Sequence, residues 1–336
     1  MRLIASERFE EHVTPPGHPE RMERAQVFTA VAERWASAGT TTIAPRAASR
    51  QELARVHDAP YLDSIASIAG RAVSLDADTY TSPESVEIAA LAAGAAVQAA
   101  EHALTHAEPA CALVRPPGHH AERDRAMGFC LYNNIAVAAA AARARGIDRV
   151  AIVDIDVHHG NGSQWMFYDD PAVLYVSSHQ YPFYPGTGAA HETGTGAGKG
   201  FTVNVPLEAG ATDADYLLAY TAIVLPVLEQ FRPALTLISA GFDAHERDPL
   251  ASMRMTSDGF GAIVGGLTSI ARRHGSLALV TEGGYDLTAL DESLDASLTA
   301  IQGTGAQLAV SHAVAAPRGE RAVAAVRAAQ HGYWKL

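Results

Sequence analysis

Only two cysteines, Cys111 and Cys130, occur in 336 residues, and no CxxC spacing links them. That is too few for a disulfide framework, so both read as small buried hydrophobes in a reducing compartment, which points to the cytoplasm. The N-terminal run MRLIASERFEEH is charged from its second residue and lacks the apolar region of a secretory signal. No apolar stretch approaches the length of a membrane span; the alanine-rich runs Ile88–Ala100 and Ile135–Ala142 read as buried helices. No Lys/Arg run interrupts a formal net charge of -12, the wrong sign for tracking a phosphate backbone, so direct nucleic-acid binding is not expected. No internal repeat suggests a solenoid, and 48% hydrophobic composition can fill one large core. One domain over residues 1–336 is expected, with a C-terminal helical tail from about 305.

What the chain does have is alternation. Short β-branched runs recur at Ala110–Val114, Val150–Ile155, Val173–Ser178, Thr202–Val205, Ala234–Ser239 and Leu277–Thr281, most of them separated by helical patterns such as Glu84–Ala107 and Asn134–Arg145. The segment Arg318–Gln330 reads as a final surface helix. Nearly continuous apolar runs such as ALTLIS suit strands covered on both faces, so the pattern predicts an α/β fold with a mostly parallel sheet flanked by helices.

Polar clusters sit at the carboxyl ends of these strands: RPPGHH, DVHHGNG, SHQ, GFDAH and EGGYD. In open α/β sheets that edge is where ligands bind, so five loops are predicted to converge on one crevice. Strand periodicity places Asp154, Asp156 and His158 on one side if the strand stays extended. A catalytic zinc site takes three protein ligands and leaves a position for water, and Asp243, just past another apolar strand, is the best third candidate. Any one such Asp is as readily a turn or cap residue; their joint occurrence points to metal. Two carboxylates with one imidazole suit Zn2+ and Fe2+ alike. His119 and His120 follow a stiff Pro-Pro-Gly turn and form a candidate acid/base pair, and Tyr285 in a glycine-rich loop is suited to donate to an oxyanion. A lone His or Tyr of this kind is more often structural; the company of the metal motif is what shifts the reading. GTGAGKG at 194–200 lacks the glycine and Ser/Thr positions of a phosphate loop, and no G-x-S-x-G elbow surrounds Ser239.

The motifs RPPGHHA, GFC-LYNN, VDIDVHHGNG, YPGTG, SAGFDA with DPL, and EGGYDL, in this order between about His18 and Leu287, resemble the histone deacetylase superfamily, closest to its class II and bacterial deacetylase-like amidohydrolases. The resemblance implies the arginase/deacetylase fold, Zn2+ on Asp156, His158 and Asp243, His119 and His120 as acid/base pair, and Tyr285 polarising the acyl carbonyl. It implies that Asp154 orients His119 and Asn161 orients His120. Phe129 and Tyr184 look like aromatic channel walls, with the Gly128 carbonyl nearby and TPPGHPERMER shaping the rim. One K+ would use Asp154, Asp156, His158, Ser177 and Ser178; a second would use carbonyls near Phe167, Asp170, Val173 and Phe201. The implied partner is an acylated amine, from acetyl-lysine protein or peptide or from a small molecule, and a homo-oligomer is left open.

Three rivals stand beside this reading. An acetylpolyamine amidohydrolase would need carboxylates at the channel mouth; Leu250 stands where a polyamine-selective relative carries Glu, whereas Glu122 and Asp124 keep the option open. A binuclear manganese hydrolase would need more bridging Asp residues than the motifs offer. A non-catalytic acyl-amine binder would have no use for the His119/His120 pair.

Overall fold

The computed structural model describes residues 1–303 and 314–336. Its strands, in chain order, are β1 (Arg2–Ile4), β2 (Thr41–Ile43), β3 (Val73–Ser74), β4 (Tyr80–Thr81), β5 (Ala110–Ala112), β6 (Val150–Asp154), β7 (Val173–Gln180), β8 (Thr202–Leu207), β9 (Leu235–Ala240) and β10 (Ser276–Thr281). Eight form one sheet in the order β2-β1-β5-β10-β9-β6-β7-β8, every pairing parallel, and β3 with β4 forms a small antiparallel hairpin.

Parallel neighbours require crossovers, and the helices in those crossovers bury both faces of the sheet. Alternate strand residues accordingly enter different cores. Ile152, Leu237 and Val280 pack with the alanine-rich helices Ser85–His106 and Asn134–Ala144. Val153, Ile238 and Leu279 pack with the larger side chains of Ser257–His274 and Leu287–Gln302. The Asn134–Ala144 helix starts where Asn133 accepts a hydrogen bond from the Ala136 N–H, the ordinary amino-terminal cap.

The six expected strands are present with ends shifted by one to two residues; β1 and β2, three residues each, are too short to carry a period and were not anticipated. The final helix spans Pro317–Ala329 and is more than a surface element. Ala322, Val323 and Val326 are buried, and the Arg318 and Gly319 N–H groups donate to Asp215 Oδ1 at 2.9 and 2.8 Å. The start of the expected tail, near 305, lies outside the described residues. Among the described residues no helix is long and apolar enough to cross a membrane.

Candidate active site

β6 ends at Asp154, so Asp156 and His158 project from the bend beyond it and not from one extended face. Asp154 thereby parts company with the other two. His158 Nδ1 lies 3.1 Å from Asp156 Oδ1 and 3.0 Å from Asp243 Oδ2, the latter delivered by the loop after β9. Ligand-capable atoms of Asp156, His158 and Asp243 all lie within 4.8 Å of one another, and all three residues are buried. The remaining oxygens brace neighbouring loops: Asp156 Oδ2 accepts from the Gly283 N–H at 2.9 Å and Asp243 Oδ1 from the Val157 N–H at 2.8 Å. A Cβ on Gly241 would stand 1.9 Å from Asp156 Oδ2, which excludes any side chain there.

Burial, and then the Asp156 charge, raises the Asp243 carboxyl. Burial opposes protonation of His158, yet Asp243 and Asp156 raise it to about 10. Two adjacent buried carboxylates are costly unless a cation sits with them, and their two oxygens with one imidazole nitrogen make a donor set that fits a divalent metal.

His119 and His120 stand beside this trio with ring centroids 4.0 Å apart. His119 Nδ1 lies 3.0 Å from Asp154 Oδ2, which also accepts from the Tyr175 hydroxyl at 3.2 Å. His120 Nδ1 lies 2.8 Å from Asn161 Oδ1, whose amide nitrogen donates to Glu122 Oε1 at 2.7 Å. An amide oxygen can only accept, so His120 carries its proton on Nδ1 and leaves Nε2 as a base. Burial disfavours charge on both rings, but Asp156 and Asp154 raise His119 well above the ordinary histidine range. Burial and the neighbouring His119 and His158 hold His120 well below it. A bound dication would lower both rings without removing the asymmetry between a carboxylate and an amide partner. Gly128 adopts φ +56° and a Cβ there would meet the His120 ring at 2.5 Å, so only glycine lets this loop lie on the imidazole.

Tyr285 is also buried, and its pKa is pushed well above the ordinary phenol range by burial, so the hydroxyl remains a donor. Its backbone N–H donates to Asp248 Oδ2 at 2.7 Å. The Arg24 guanidinium lies 5.1 Å from its ring centroid, donates to the Gly284 carbonyl at 2.7 Å and to Glu20 Oε1 at 2.9 Å; Glu20 also accepts from Arg115 at 2.6 Å.

A cavity of about 180 Å³ brings together His119, His120, His158 and Tyr285 with the four expected channel residues Gly128, Phe129, Tyr184 and Leu250. Phe183 and Asp78 line it too, Phe183 stacking on His158 at 5.6 Å. His18 packs edge-on against Phe129 at 4.7 Å, so the TPPGHPERMER segment does form part of the rim. Glu122 is turned inward to Asn161, and Asp78 is the carboxylate residue at the cavity.

Ser177 pairs in register with Asp154, but its hydroxyl lies 2.8 Å from His179 Nδ1, and that of Ser178 lies 2.9 Å from the Tyr220 hydroxyl. Phe167, Asp170 and Val173 follow one another through the turn into β7, with Phe167 and Asp170 carbonyls accepting from Asp170 and Val173 N–H groups. The Phe201 carbonyl accepts from the Tyr175 N–H. Glu282, Asp248, Phe183 and the Glu20–Arg24–Arg115 cluster were not singled out from the sequence. Their signal is tertiary, with partners up to 260 residues away.

Residues 18–301 match the histone deacetylase domain family. Over 311 residues the chain is 41% identical to histone deacetylase 15 of Arabidopsis thaliana, covering 89% of this chain and 54% of that protein. It is 47% identical over 244 residues to a histone deacetylase-like amidohydrolase of Pseudomonas aeruginosa, covering 71% of this chain and 64% of the relative. It is 38% identical over 333 residues to the polyamine deacetylase HDAC10 of Homo sapiens, covering 94% and 50%. The chain thus spans between half and two thirds of the length of these curated relatives. The crystal structure of the HDA15 HD domain superposes with a TM-score of 0.91 at 36% identity, covering 99% of this chain and 95% of that one. With this match in sequence and architecture, the chain belongs to the histone deacetylase domain family and has the arginase/deacetylase fold.

Proposed function

We propose that the chain is a zinc-dependent amidohydrolase that removes acetyl or other short acyl groups from lysine side chains or related amines. The observation that carries this reading is the buried Asp156–His158–Asp243 trio beside two histidines with unlike partners, all opening on one cavity with Tyr285. Zinc suits this donor set, and when bound it lowers the pKa of a water and polarises an acyl carbonyl. His120, neutral and fixed by Asn161, takes the proton from the attacking water. The Tyr285 hydroxyl donates to the oxygen that gains negative charge as the carbonyl becomes tetrahedral. His119, whose imidazolium Asp154 stabilises, returns a proton to the nitrogen as the C–N bond breaks, giving a carboxylic acid and a free amine. Phe129, Phe183 and Tyr184 exclude water from the stem of the amine.

We further propose, as the family resemblance implies, a structural K+ held by Asp154, Asp156, His158, Ser177 and Ser178 and a second K+ near Phe167, Asp170, Val173 and Phe201. Buried free thiols at Cys111 and Cys130 fit a reducing compartment such as the cytoplasm. Acetylated polyamines form a second substrate reading, favoured by Asp78 at the cavity and by the polyamine deacetylase among the relatives. Parallel rates on acetyl-lysine peptides and acetylpolyamines separate the two.

Metal-depleted protein assayed on a fluorogenic acetyl-lysine substrate tests the class. Added Zn2+ restores hydrolysis in the wild type and not in Asp243→Ala, whose zinc content drops to background. Zinc-independent turnover, or full activity in the variant, would remove the metal from the scheme.

A further inference from the structure

β5 ends at Ala112, and after the Leu113 N–H donates to the Ile4 carbonyl of β1 at 2.9 Å the chain runs on to His119 and His120 through a buried segment outside the ladder. Each N–H of that segment needs an acceptor. Side chains at the end of β10 supply acceptors for three of them. Thr281 Oγ1 accepts from the Val114 N–H at 2.8 Å, and Glu282 Oε2 accepts from the Gly118 N–H at 2.6 Å and the His119 N–H at 3.2 Å. The other Glu282 oxygen accepts from the Ser239 hydroxyl at 2.7 Å, which fixes the carboxylate against the end of β9. Glu282 is fully buried and touches none of the cavity.

We propose that Glu282 is a positioning residue for the acid/base pair: its carboxylate grips the Gly118 and His119 amides and so sets where the His119 ring meets Asp154. This rests on the proposed hydrolase function. The grip is two-sided. The His119 carbonyl accepts from the Ser163 N–H at 3.1 Å and from Asn133 Nδ2 at 3.3 Å, so the peptide units flanking His119 are held at both ends. There is no slack to absorb a loss, because a Cβ at Gly118 would already stand 2.4 Å from the Asn134 nitrogen. The three groups facing Glu282 are all donors, so what the loop requires at this place is an oxygen acceptor.

The test compares zinc-loaded wild type, Glu282→Ala and Glu282→Gln. Glu282→Ala is expected to lower kcat about ten- to a hundredfold, the scale of a misplaced catalytic group, with KM and zinc content changed less than about twofold. Glu282→Gln keeps one oxygen facing the two amides and is expected to recover kcat to within roughly threefold of wild type, since a neutral acceptor still satisfies both donors. Hydrogen exchange at Gly118 and His119 gives a readout independent of activity, faster in Glu282→Ala and unchanged in Glu282→Gln. A residue serving stability alone would lower the melting temperature and leave kcat per folded molecule intact, which overturns the proposal. So does a change confined to KM, or a Glu282→Gln variant as impaired and as exchangeable as Glu282→Ala. If Glu282→Ala does not fold, Glu282→Gln decides: retained kcat and protection support the role, and loss of either overturns it. A wild type inactive on every acyl amine sinks the hydrolase reading, while the exchange data still decide whether Glu282 holds the loop.

Discussion

The polar floor of the crevice at the carboxyl ends of the strands and the alanine-rich layer on one face of the sheet are both buried, and they are held together in opposite ways. In the crevice, groups that are costly to bury are paired in turn: Asp154 with His119, Asn161 with His120, Asp248 with the Tyr285 amide. In the layer, the Ser85–His106 helix lies close to Asn134–Ala144 because Ala and Gly leave room for backbone to approach; the Ala48 N–H even donates to the Ala90 carbonyl at 2.7 Å. A substitution in the crevice should therefore alter chemistry, whereas one in the layer should alter stability.

The largest separation is expected at Tyr285. Tyr285→Phe keeps the packing of a buried ring and removes one donor, so kcat falls about a hundredfold to a thousandfold with little change in melting temperature. Undiminished turnover would take Tyr285 out of the mechanism. The converse holds for Gly94→Ala, whose Cβ would stand 1.9 Å from the Arg46 carbonyl oxygen. Overpacking of this kind costs about 1–3 kcal/mol, read by urea unfolding, with kcat per folded molecule retained; a loss of kcat at unchanged stability would break the contrast.

The smallest effect lies where the two regions meet. His57 Nδ1 donates to the Glu122 carbonyl at 2.9 Å and its Nε2 accepts from the Asn133 N–H at 3.0 Å, so the neutral ring is the one that fits. Burial lowers its pKa to about 4 from an ordinary 6.5. Below 6.5 the unfolded chain binds the extra proton and the folded chain does not, so this contribution is complete above 6.5 and declines as pH falls toward 4. Unfolding free energy measured against pH should show a shallower slope in that window for His57→Gln than for wild type; equal slopes would acquit His57.

Much of the crevice was legible because Asp, His and Tyr clusters at strand ends have few other uses, and the layer because runs such as Ile88–Ala100 suit only a buried helix. Asp156 and His158 were placed together by a strand period, although the strand ends at Asp154; the fold brings them together from the bend beyond it. Glu282 could not be singled out, since EGGYD reads as a loop and only the fold brings Gly118, His119 and Ser239 to its two oxygens. Glu20 and Arg24 lay in the rim segment and Arg115 in the RPPGHH cluster, but nothing in those motifs shows that the three are buried together, and β1 and β2 are stabilised by neighbours distant in sequence and carry no pattern of their own.

The two oxygens of Asp156, and those of Asp243, answer to different masters. One faces His158 while the other holds the amide of Gly283 or Val157. A metal would accept His or Cys at either place, but neither offers, as a carboxylate does, a second acceptor beside the ligating atom, so the range of substitutions tolerated at 156 and 243 is narrower than ligand chemistry alone requires, and the loops share with the ion in selecting aspartate.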